Sequence, residues 1–234
     1  MINNKSTIVI TGASSGIGYA TALEFAKQGH KVYAIARNTE SLEKLKCEAP
    51  NKNIVPISFD LSVFNKEVLD EVFSEIGKID ILVNNAGVLL NKGFLEITED
   101  EISKVYNVNF VSVVKMIQYF HSRLKKSKQG HIVNIGSVGG VTGSVKFPGL
   151  SIYSSSKGAL SILSECLAKD FKEDGISVNC LALGSVNTEM LNQAFPEFNS
   201  PTSAKQIANY IYGFALQASE VVNGTTQTIS ISNP

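Results

Sequence analysis

Short apolar segments alternate along the chain with longer segments in which apolar residues recur at helical spacing. Nearly continuous apolar, β-branched runs are typical of strands that are buried on both faces of a parallel sheet. The pattern predicts strands over 6–11, 31–36, 53–58, 79–84, 131–136, 176–183 and 226–232. It predicts helices over 17–28, 39–48, 65–76, 98–125, 152–173 and 203–217.

This strand–helix repetition predicts an α/β fold: a doubly wound, Rossmann-type domain of about seven parallel strands with helices on both faces. No linker or repeat interrupts it, so we expect residues 1–234 to form one domain. The segment 185–202 has weak periodicity and two prolines, and it follows a strand at the end where open α/β sheets bind ligands. We call it the lid segment and expect it to cover the substrate.

Three glycines punctuate the connection between the first strand and the first helix, TGASSGIG at 11–18. Gly12 permits a tight turn, Gly16 lets backbone N–H groups approach a pyrophosphate, and Gly18 lets helix and strand pack closely. The helix N-terminus then supplies partial positive charge for an anion. No Lys-Ser/Thr pair follows, which excludes a P-loop. The alternative is a glycine turn that merely closes the connection.

The end of the second strand indicates the cofactor. An acidic residue there would bind the ribose 2′-OH of NAD, but no Asp or Glu occurs from Lys27 to Thr39. Ala36 stands where the acid is expected and Arg37 follows it. Arg can pair with a 2′-phosphate, so the sequence favours NADP(H) over NAD(H). The alternative is an ordinary solvated arginine.

Composition narrows the range of partners. Lys plus Arg and Asp plus Glu both number 21, so charge gives no reason to expect nucleic acid or an anionic membrane surface. We find no apolar run long enough to span a bilayer and no signal peptide, and we expect a cytoplasmic protein. Cysteines and histidines lack metal-ligand spacing, so we expect reduced thiols and no metal site. These residues are Cys47, Cys166, Cys180, His30, His121 and His131.

The stretch YSSSK places Tyr153 four residues before Lys157, so the two share one face of a helix. A cation beside the phenol would favour its ionised form and lower its pKa from about 10. Such a pair could donate and accept a proton near neutral pH. Alone, the spacing is also compatible with chance and with a solvated lysine.

Several motifs occur in a fixed order, and over residues 6–190 they make the chain resemble a classical short-chain dehydrogenase/reductase. They are TGASSGIG (11–18), FDLS (59–62), NNAG (84–87), NVNF (107–110), IGS (135–137), YSSSK (153–157) and LALGSVNTEM (181–190).

The resemblance implies four catalytic residues. Tyr153 would be the general acid in carbonyl reduction or the base in alcohol oxidation. Lys157 would bind the nicotinamide ribose and lower the pKa of Tyr153. Ser137 would orient the substrate oxygen and stabilise charge on it. Asn109 would hold a water that links Lys157 to solvent.

The resemblance also implies the cofactor site, with Asp60 and Leu61 at the adenine, Asn85 to Gly87 along the cleft, and Val186 and Thr188 at the carboxamide. The complete expected set is Gly12, Ser14, Ser15, Gly16, Ile17, Gly18, Arg37, Asp60, Leu61, Asn85, Ala86, Gly87, Tyr153, Lys157, Val186 and Thr188.

The chain departs from the family's pattern in three places. Leu183 precedes Gly184 where the family has proline, which we expect to loosen the turn. The segment 138–150 is a few residues longer than expected, and we place it at the substrate rim. The C-terminal tail lacks Asp-Gly-Gly, so the homodimer or homotetramer that the resemblance implies rests on the family alone.

The sequence therefore favours an NADP(H)-dependent oxidoreductase acting on a small ketone, aldehyde or secondary alcohol. The pocket would be built by 88–95, 138–150 and 187–202, whose apolar side chains favour a hydrophobic carbonyl compound. They are Leu89, Leu90, Phe94, Phe147, Met190, Leu191 and Phe195. One alternative is a dinucleotide-binding regulator without catalysis, although Ser137, Tyr153 and Lys157 are all present. A serine hydrolase is disfavoured because no G-x-S-x-G elbow occurs.

Overall fold

A computed structural model describes residues 5–231 and shows one sheet of seven parallel strands in the order β3-β2-β1-β4-β5-β6-β7. The strands are β1 (Thr7–Thr11), β2 (Lys31–Ala36), β3 (Ile54–Ser58), β4 (Ile81–Asn84), β5 (Gly130–Ser137), β6 (Ile176–Leu183) and β7 (Thr226–Ile229). The predicted doubly wound α/β fold is confirmed.

Helices cover both faces of the sheet. They are α1 (Gly16–Lys27), α2 (Thr39–Glu48), α3 (Lys66–Phe73), α4 (Glu99–Tyr106), α5 (Ser112–Leu124), α6 (Ser151–Asp170), α7 (Glu189–Ala194) and α8 (Ala204–Gln217). One apolar cluster joins α1, α2 and α8 to the sheet, and a second joins α3, α5 and α6 to the opposite face. Both faces of the central strands are buried, which explains their continuous apolar runs.

The predicted helix over 98–125 differs from the structure in its middle. Thr98 and Glu101 form a capping box at the start of α4. The five residues Asn107–Val111 then form a π-helical turn, which joins α4 to α5. A π turn widens the helix by one residue and often marks a functional position.

Other predicted boundaries shift by a few residues. Ile79 and Asp80 precede β4, and α3 ends at Phe73 instead of residue 76. Helix α6 ends at Asp170 instead of 173, and residue 232 of the last predicted strand lies outside the described residues. The lid segment contains the short helix α7, which its weak periodicity did not predict.

The two edges of the sheet are β3 and β7. Strand β7 has four residues, and β3 carries Pro56 at its centre, opposite Ala34 of β2. From β1 the chain adds β2 and β3 on one side of the sheet, and from β4 it adds β5, β6 and β7 on the other. The order of the strands therefore reverses between β1 and β4. This switch point opens a crevice at the carboxyl ends of the strands, and the candidate site lies there.

Candidate active site

The glycine turn after β1 is a close-packed cradle. Gly12 and Gly16 have φ of +68° and +54°, a region that favours glycine. A Cβ on Gly12 would lie 2.7 Å from the Ala86 Cα, and one on Gly18 would lie 2.2 Å from the Gly12 carbonyl oxygen. Backbone packing therefore requires glycine at positions 12 and 18, and the positive φ favours glycine at position 16.

Helix α1 begins directly after this turn with free N–H groups. Ser15 is its N-cap residue and makes no side-chain hydrogen bond to the first turn. The first N–H groups of a helix have no partner within the helix and attract anions. Ser14 is half-buried in the turn, and Ile17 packs against the apolar cluster of that face. The turn can therefore receive a phosphate group, and its residues fit a dinucleotide.

Thr11, at the end of β1, fixes the neighbouring wall of the cleft. Its Oγ1 accepts hydrogen bonds from the backbone N–H groups of Asn85 and Ala86, both at 3.1 Å. The Asn85 side chain donates back to the carbonyl oxygens of Thr11 and Gly12, at 3.0 and 3.2 Å. We did not single out Thr11 from the sequence, because its role depends on a partner 74 residues away.

Asn109 lies in the π-helical turn and is fully buried. Its Oδ1 accepts from the Val88 N–H at 2.8 Å, and its Nδ2 donates to the Val88 carbonyl at 3.0 Å. Nδ2 also donates to Ser156 Oγ at 3.0 Å, on the helix that carries the Tyr–Lys pair. Ser156 is a second residue that sequence reasoning missed. Asn109 thus joins the loop after β4 to α6.

Lys157 is 4% exposed, and its Nζ donates a 2.8 Å hydrogen bond to the Ile135 carbonyl oxygen of β5. Burial lowers the pKa of Lys157 to about 8, and the nearby Cys180 opposes this shift. A lysine ammonium has three N–H donors, so after its bond to the Ile135 carbonyl Lys157 has two donors left for other groups. Gly87 lies between Asn109 and Lys157: a Cβ added to Gly87 would lie 3.4 Å from Asn109 Oδ1 and 3.5 Å from Lys157 Nζ.

Tyr153 and Ser137 meet at the carboxyl end of β5. Ser137 Oγ accepts a hydrogen bond from the Gly139 N–H at 3.3 Å. Burial raises the pKa of Tyr153, and the nearby Ser137 hydroxyl opposes that rise. The expectation that Lys157 lowers the pKa of Tyr153 is therefore wrong for this structure, because desolvation dominates and Nζ is engaged by Ile135.

Arg37 lies at the other end of the cleft, exposed after β2. Its charge helps to lower the pKa of Asp60, after two hydrogen bonds from Ser62 that have the larger effect. Asp60 caps a short turn that contains the buried Leu61. These residues are therefore grouped beside β2 and β3, apart from the Tyr153 cluster.

The lid segment leaves β6 by an ordered path. Leu183, which stands where the family has proline, is buried. The next residue, Gly184, donates its N–H to the Ile229 carbonyl at 2.9 Å, so β6 stays paired with β7 at this point. Val186 is buried in the apolar core, which leaves its backbone for any contact in the cleft. Thr188 caps α7 and lies against the glycine turn, 3.3 Å from the position of a Cβ on Gly16.

The segments expected at the substrate rim do meet. The Lys92 N–H donates to the Gly149 carbonyl oxygen at 3.0 Å, and Asn91 Nδ2 donates to the Ala194 carbonyl oxygen at 2.8 Å. The apolar side chains differ in exposure. Phe94, Phe147 and Met190 are exposed, while Leu89, Leu90, Leu191 and Phe195 are half-buried.

Across residues 5–231, we find no group of three or more His, Cys, Asp and Glu side chains that could hold a metal ion. The three cysteines are unpaired. None of the helices described is long and apolar enough to cross a lipid bilayer.

Comparison with known proteins agrees with this geometry. A profile described as short chain dehydrogenase matches residues 6–198. The 3-oxoacyl-[acyl-carrier-protein] reductase FabG of Thermotoga maritima is 34% identical over 221 residues, which cover 92% of this chain and 87% of FabG.

Two solved structures resemble the whole chain. ElxO with NADP bound superposes with a TM-score of 0.84 at 28% identity, covering 97% of both chains. The 4-hydroxyisoleucine dehydrogenase complexed with NADH gives 0.83 at 27% identity, again covering 97% of both. Proteins similar to this chain therefore bind either nicotinamide dinucleotide.

Proposed function

Because the chain belongs to the short-chain dehydrogenase/reductase family, we propose that it is an NADP(H)-dependent oxidoreductase that reduces a ketone or aldehyde, or oxidises a secondary alcohol. The observation that carries the proposal is the grouping of Tyr153, Ser137 and the buried Lys157 at the carboxyl end of β5, where Lys157 Nζ bonds the Ile135 carbonyl and the Ser137 hydroxyl is close enough to Tyr153 to influence its pKa. This is the end of the sheet where ligands bind in folds of this type, so the two hydroxyl groups could serve as proton donor and oxygen-binding group.

In the proposed mechanism the bound nicotinamide supplies the hydride, or accepts it in the oxidative direction. Ser137 Oγ donates a hydrogen bond to the substrate oxygen and stabilises the charge that develops there. The Tyr153 hydroxyl transfers its proton to that oxygen. Since its pKa is raised, Tyr153 holds the proton until the alkoxide forms.

Lys157 and Asn109 would then return a proton to Tyr153. The Lys157 ammonium would hydrogen-bond the ribose of a bound cofactor and keep a positive charge beside the site. A water beside Gly87 would lie between Asn109 Oδ1 and Lys157 Nζ and lead protons from solvent, a role supported by the space that glycine leaves there.

The test of this proposal is Tyr153→Phe, which removes one oxygen and keeps the ring. We expect turnover to fall by at least about 100-fold, because general acid catalysis contributes at this scale or above. Affinity for NADPH, measured by calorimetry, should stay within about threefold. Tyr106→Phe is the matched control. The Tyr106 hydroxyl donates a hydrogen bond to Ser155, which lies on α6, the helix that also carries Tyr153. Substantial activity in Tyr153→Phe would refute the proton-transfer role, and a regulator without catalysis would show no turnover in the parent protein.

Preference for NADP(H) is the second part of the proposal and rests on Arg37. The chain has no acid at the end of β2 to bind a ribose 2′-OH, and the Arg37 side chain is exposed and able to reach a 2′-phosphate. The adjoining expected residues, Asp60 and Leu61, would contact the adenine.

Arg37→Asp replaces the favourable charge with a repulsive one. We expect NADPH affinity to fall by about 10- to 100-fold, since a charge-assisted hydrogen bond is worth about 1.5–3 kcal/mol. NADH affinity should be unchanged or rise. Calorimetric titrations with each nucleotide measure both, and Lys44→Asp on the exposed face of α2 is the control. Equal losses for NADPH and NADH would refute the 2′-phosphate contact.

For the substrate we propose a hydrophobic carbonyl compound, on the basis of the apolar side chains at the rim, including Phe94, Phe147 and Met190. We further propose that residues 1–234 act as one domain with 185–202 as substrate lid. Unpaired cysteines support a cytoplasmic location. The family's habit supports a homodimer or homotetramer.

A further inference from the structure

Asn91 connects the two walls of the cleft. Its side-chain Nδ2 donates a 2.8 Å hydrogen bond to the carbonyl oxygen of Ala194, which is the last residue of α7. The final carbonyl groups of a helix have no partner within the helix. Asn91 therefore caps the end of the lid helix from the opposite side of the cleft, across 103 residues of chain.

The other side of Asn91 packs against Gly149. Gly149 has φ of +82°, and a Cβ on it would lie 2.1 Å from Asn91 Oδ1. The adjacent Lys92 N–H donates to the Gly149 carbonyl at 3.0 Å. Gly149 precedes α6, the helix that carries Tyr153, by two residues. Asn91 is thus held between the lid helix and the segment that leads to the proton donor.

The opposite end of α7 lies against the glycine turn, where Thr188 approaches Gly16. At its base the lid segment is closed by a hydrogen bond from the Asn187 N–H to the Thr202 carbonyl, at 2.7 Å. Helix α7 therefore spans the mouth of the cleft from the dinucleotide turn to Asn91. Fixing the Ala194 end of α7 therefore sets how closely the lid segment can cover a bound dinucleotide and substrate.

We propose that Asn91 is a positioning residue that latches the lid segment over the cleft and thereby sets substrate affinity. The inference rests on the proposed function, because it concerns the same cleft. Loss of the latch leaves the Tyr153 and Ser137 cluster untouched, so it acts on binding and release and leaves the chemical step unchanged.

Hydrogen–deuterium exchange on ligand-free protein tests the latch without any activity. In Asn91→Ala, amides of residues 188–198 should exchange between about twofold and tenfold faster, the range that one net hydrogen bond supports. Peptides from β5 should be unaffected. The control is Gln193→Ala, which removes a hydrogen bond to Glu189 within α7. Unchanged exchange in Asn91→Ala would overturn the proposal.

Steady-state kinetics give the second readout. In Asn91→Ala, the KM for the carbonyl substrate should rise between about twofold and tenfold, with kcat unchanged or higher. A lower kcat at unchanged KM would contradict a latch. If the parent protein reduces no carbonyl compound, the proposed function fails, and the exchange result still decides whether Asn91 holds the lid segment.

Gly149→Ala supplies a second perturbation, which adds a Cβ against Asn91 and also strains the backbone, because φ at position 149 is +82°. Its Cβ would displace the Asn91 amide, so exchange of residues 188–198 should accelerate as it does in Asn91→Ala. In the double variant the increase in exchange should be smaller than the sum of the two single increases. The reason is that the Asn91 side chain, which the new methyl group would displace, is already absent. Additive effects would contradict the shared contact. Should Asn91→Ala fail to fold, Asn91→Asp keeps the side-chain shape and removes the donor, and the same accelerated exchange is expected.

Discussion

At the scale of single residues, burial is the main influence on the pKa values of Tyr153 and Lys157, which lie with Ser137 at one end of the sheet. The motifs that contain these three residues pointed to a common site, but they did not show how the residues influence one another. The sequence did not reveal that the Lys157 ammonium binds the Ile135 carbonyl, or that burial is the main influence on both pKa values. Desolvation depends on every element packed above a side chain, and no local pattern encodes it.

The shifted pKa of Lys157 predicts the pH dependence of carbonyl reduction. In the proposed mechanism the protonated Lys157 binds the ribose, and burial lowers its pKa to about 8. Tyr153 keeps its proton because its pKa is raised above the ordinary value of about 10. We therefore expect kcat/KM to be constant from pH 6 to about pH 7.5 and to fall about tenfold per unit above pH 8.

Initial rates measured at several substrate concentrations across this pH range check the profile. Circular dichroism at each pH separates loss of activity from unfolding. A profile that stays flat to about pH 9.5 would show that the ammonium of Lys157 is not required.

At the scale of elements, continuous apolar runs predicted the strands well because a parallel sheet buries both of their faces. The helix over 98–125 was predicted from periodicity, which cannot show the π turn at Asn107–Val111. That turn is accompanied by hydrogen bonds between Asn109 and Val88, a residue 21 positions away. The lid helix α7 was missed for a similar reason, since its last carbonyl is capped by Asn91.

At the scale of the whole molecule, the alternation of strands and helices was enough to predict the parallel sheet, and such sheets bind ligands at the carboxyl ends of their strands. The amino ends of the central strands are held together by Asp80, which the sequence did not single out. This carboxylate accepts hydrogen bonds from the Thr7 N–H at 2.9 Å and from Ser127 Oγ at 2.6 Å. It also pairs with Lys78 at 2.8 Å. Asp80 thus joins the starts of β1 and β4 to the loop after α5.

Asp80→Asn should reduce stability in a pH-dependent way. Burial acts to raise the pKa of Asp80, but its hydrogen bonds outweigh burial and the pKa is lowered. A lowered pKa contributes stability that is present above about pH 4, the unfolded value, and is lost as pH falls through the folded value. At pH 7 we expect the free energy of unfolding to fall by about 1–3 kcal/mol.

Urea unfolding at pH 7 and below pH 4 measures this change, and the difference between variant and parent should shrink at the lower pH. Asp170→Asn, at the exposed end of α6, is the control and should change stability by less than about 0.5 kcal/mol. A constant difference at both pH values would show that ionisation of Asp80 does not contribute.

Pro56 has a consequence for behaviour at high concentration. The N–H groups of Val55 and Ile57 face β2, so residue 56 faces the open side of the sheet, where proline offers no donor. A strand from another molecule that approached β3 would find its hydrogen-bond ladder broken at the centre. At the other border, β7 offers only four residues. Both borders of the sheet therefore carry features that disfavour edge-to-edge aggregation between molecules.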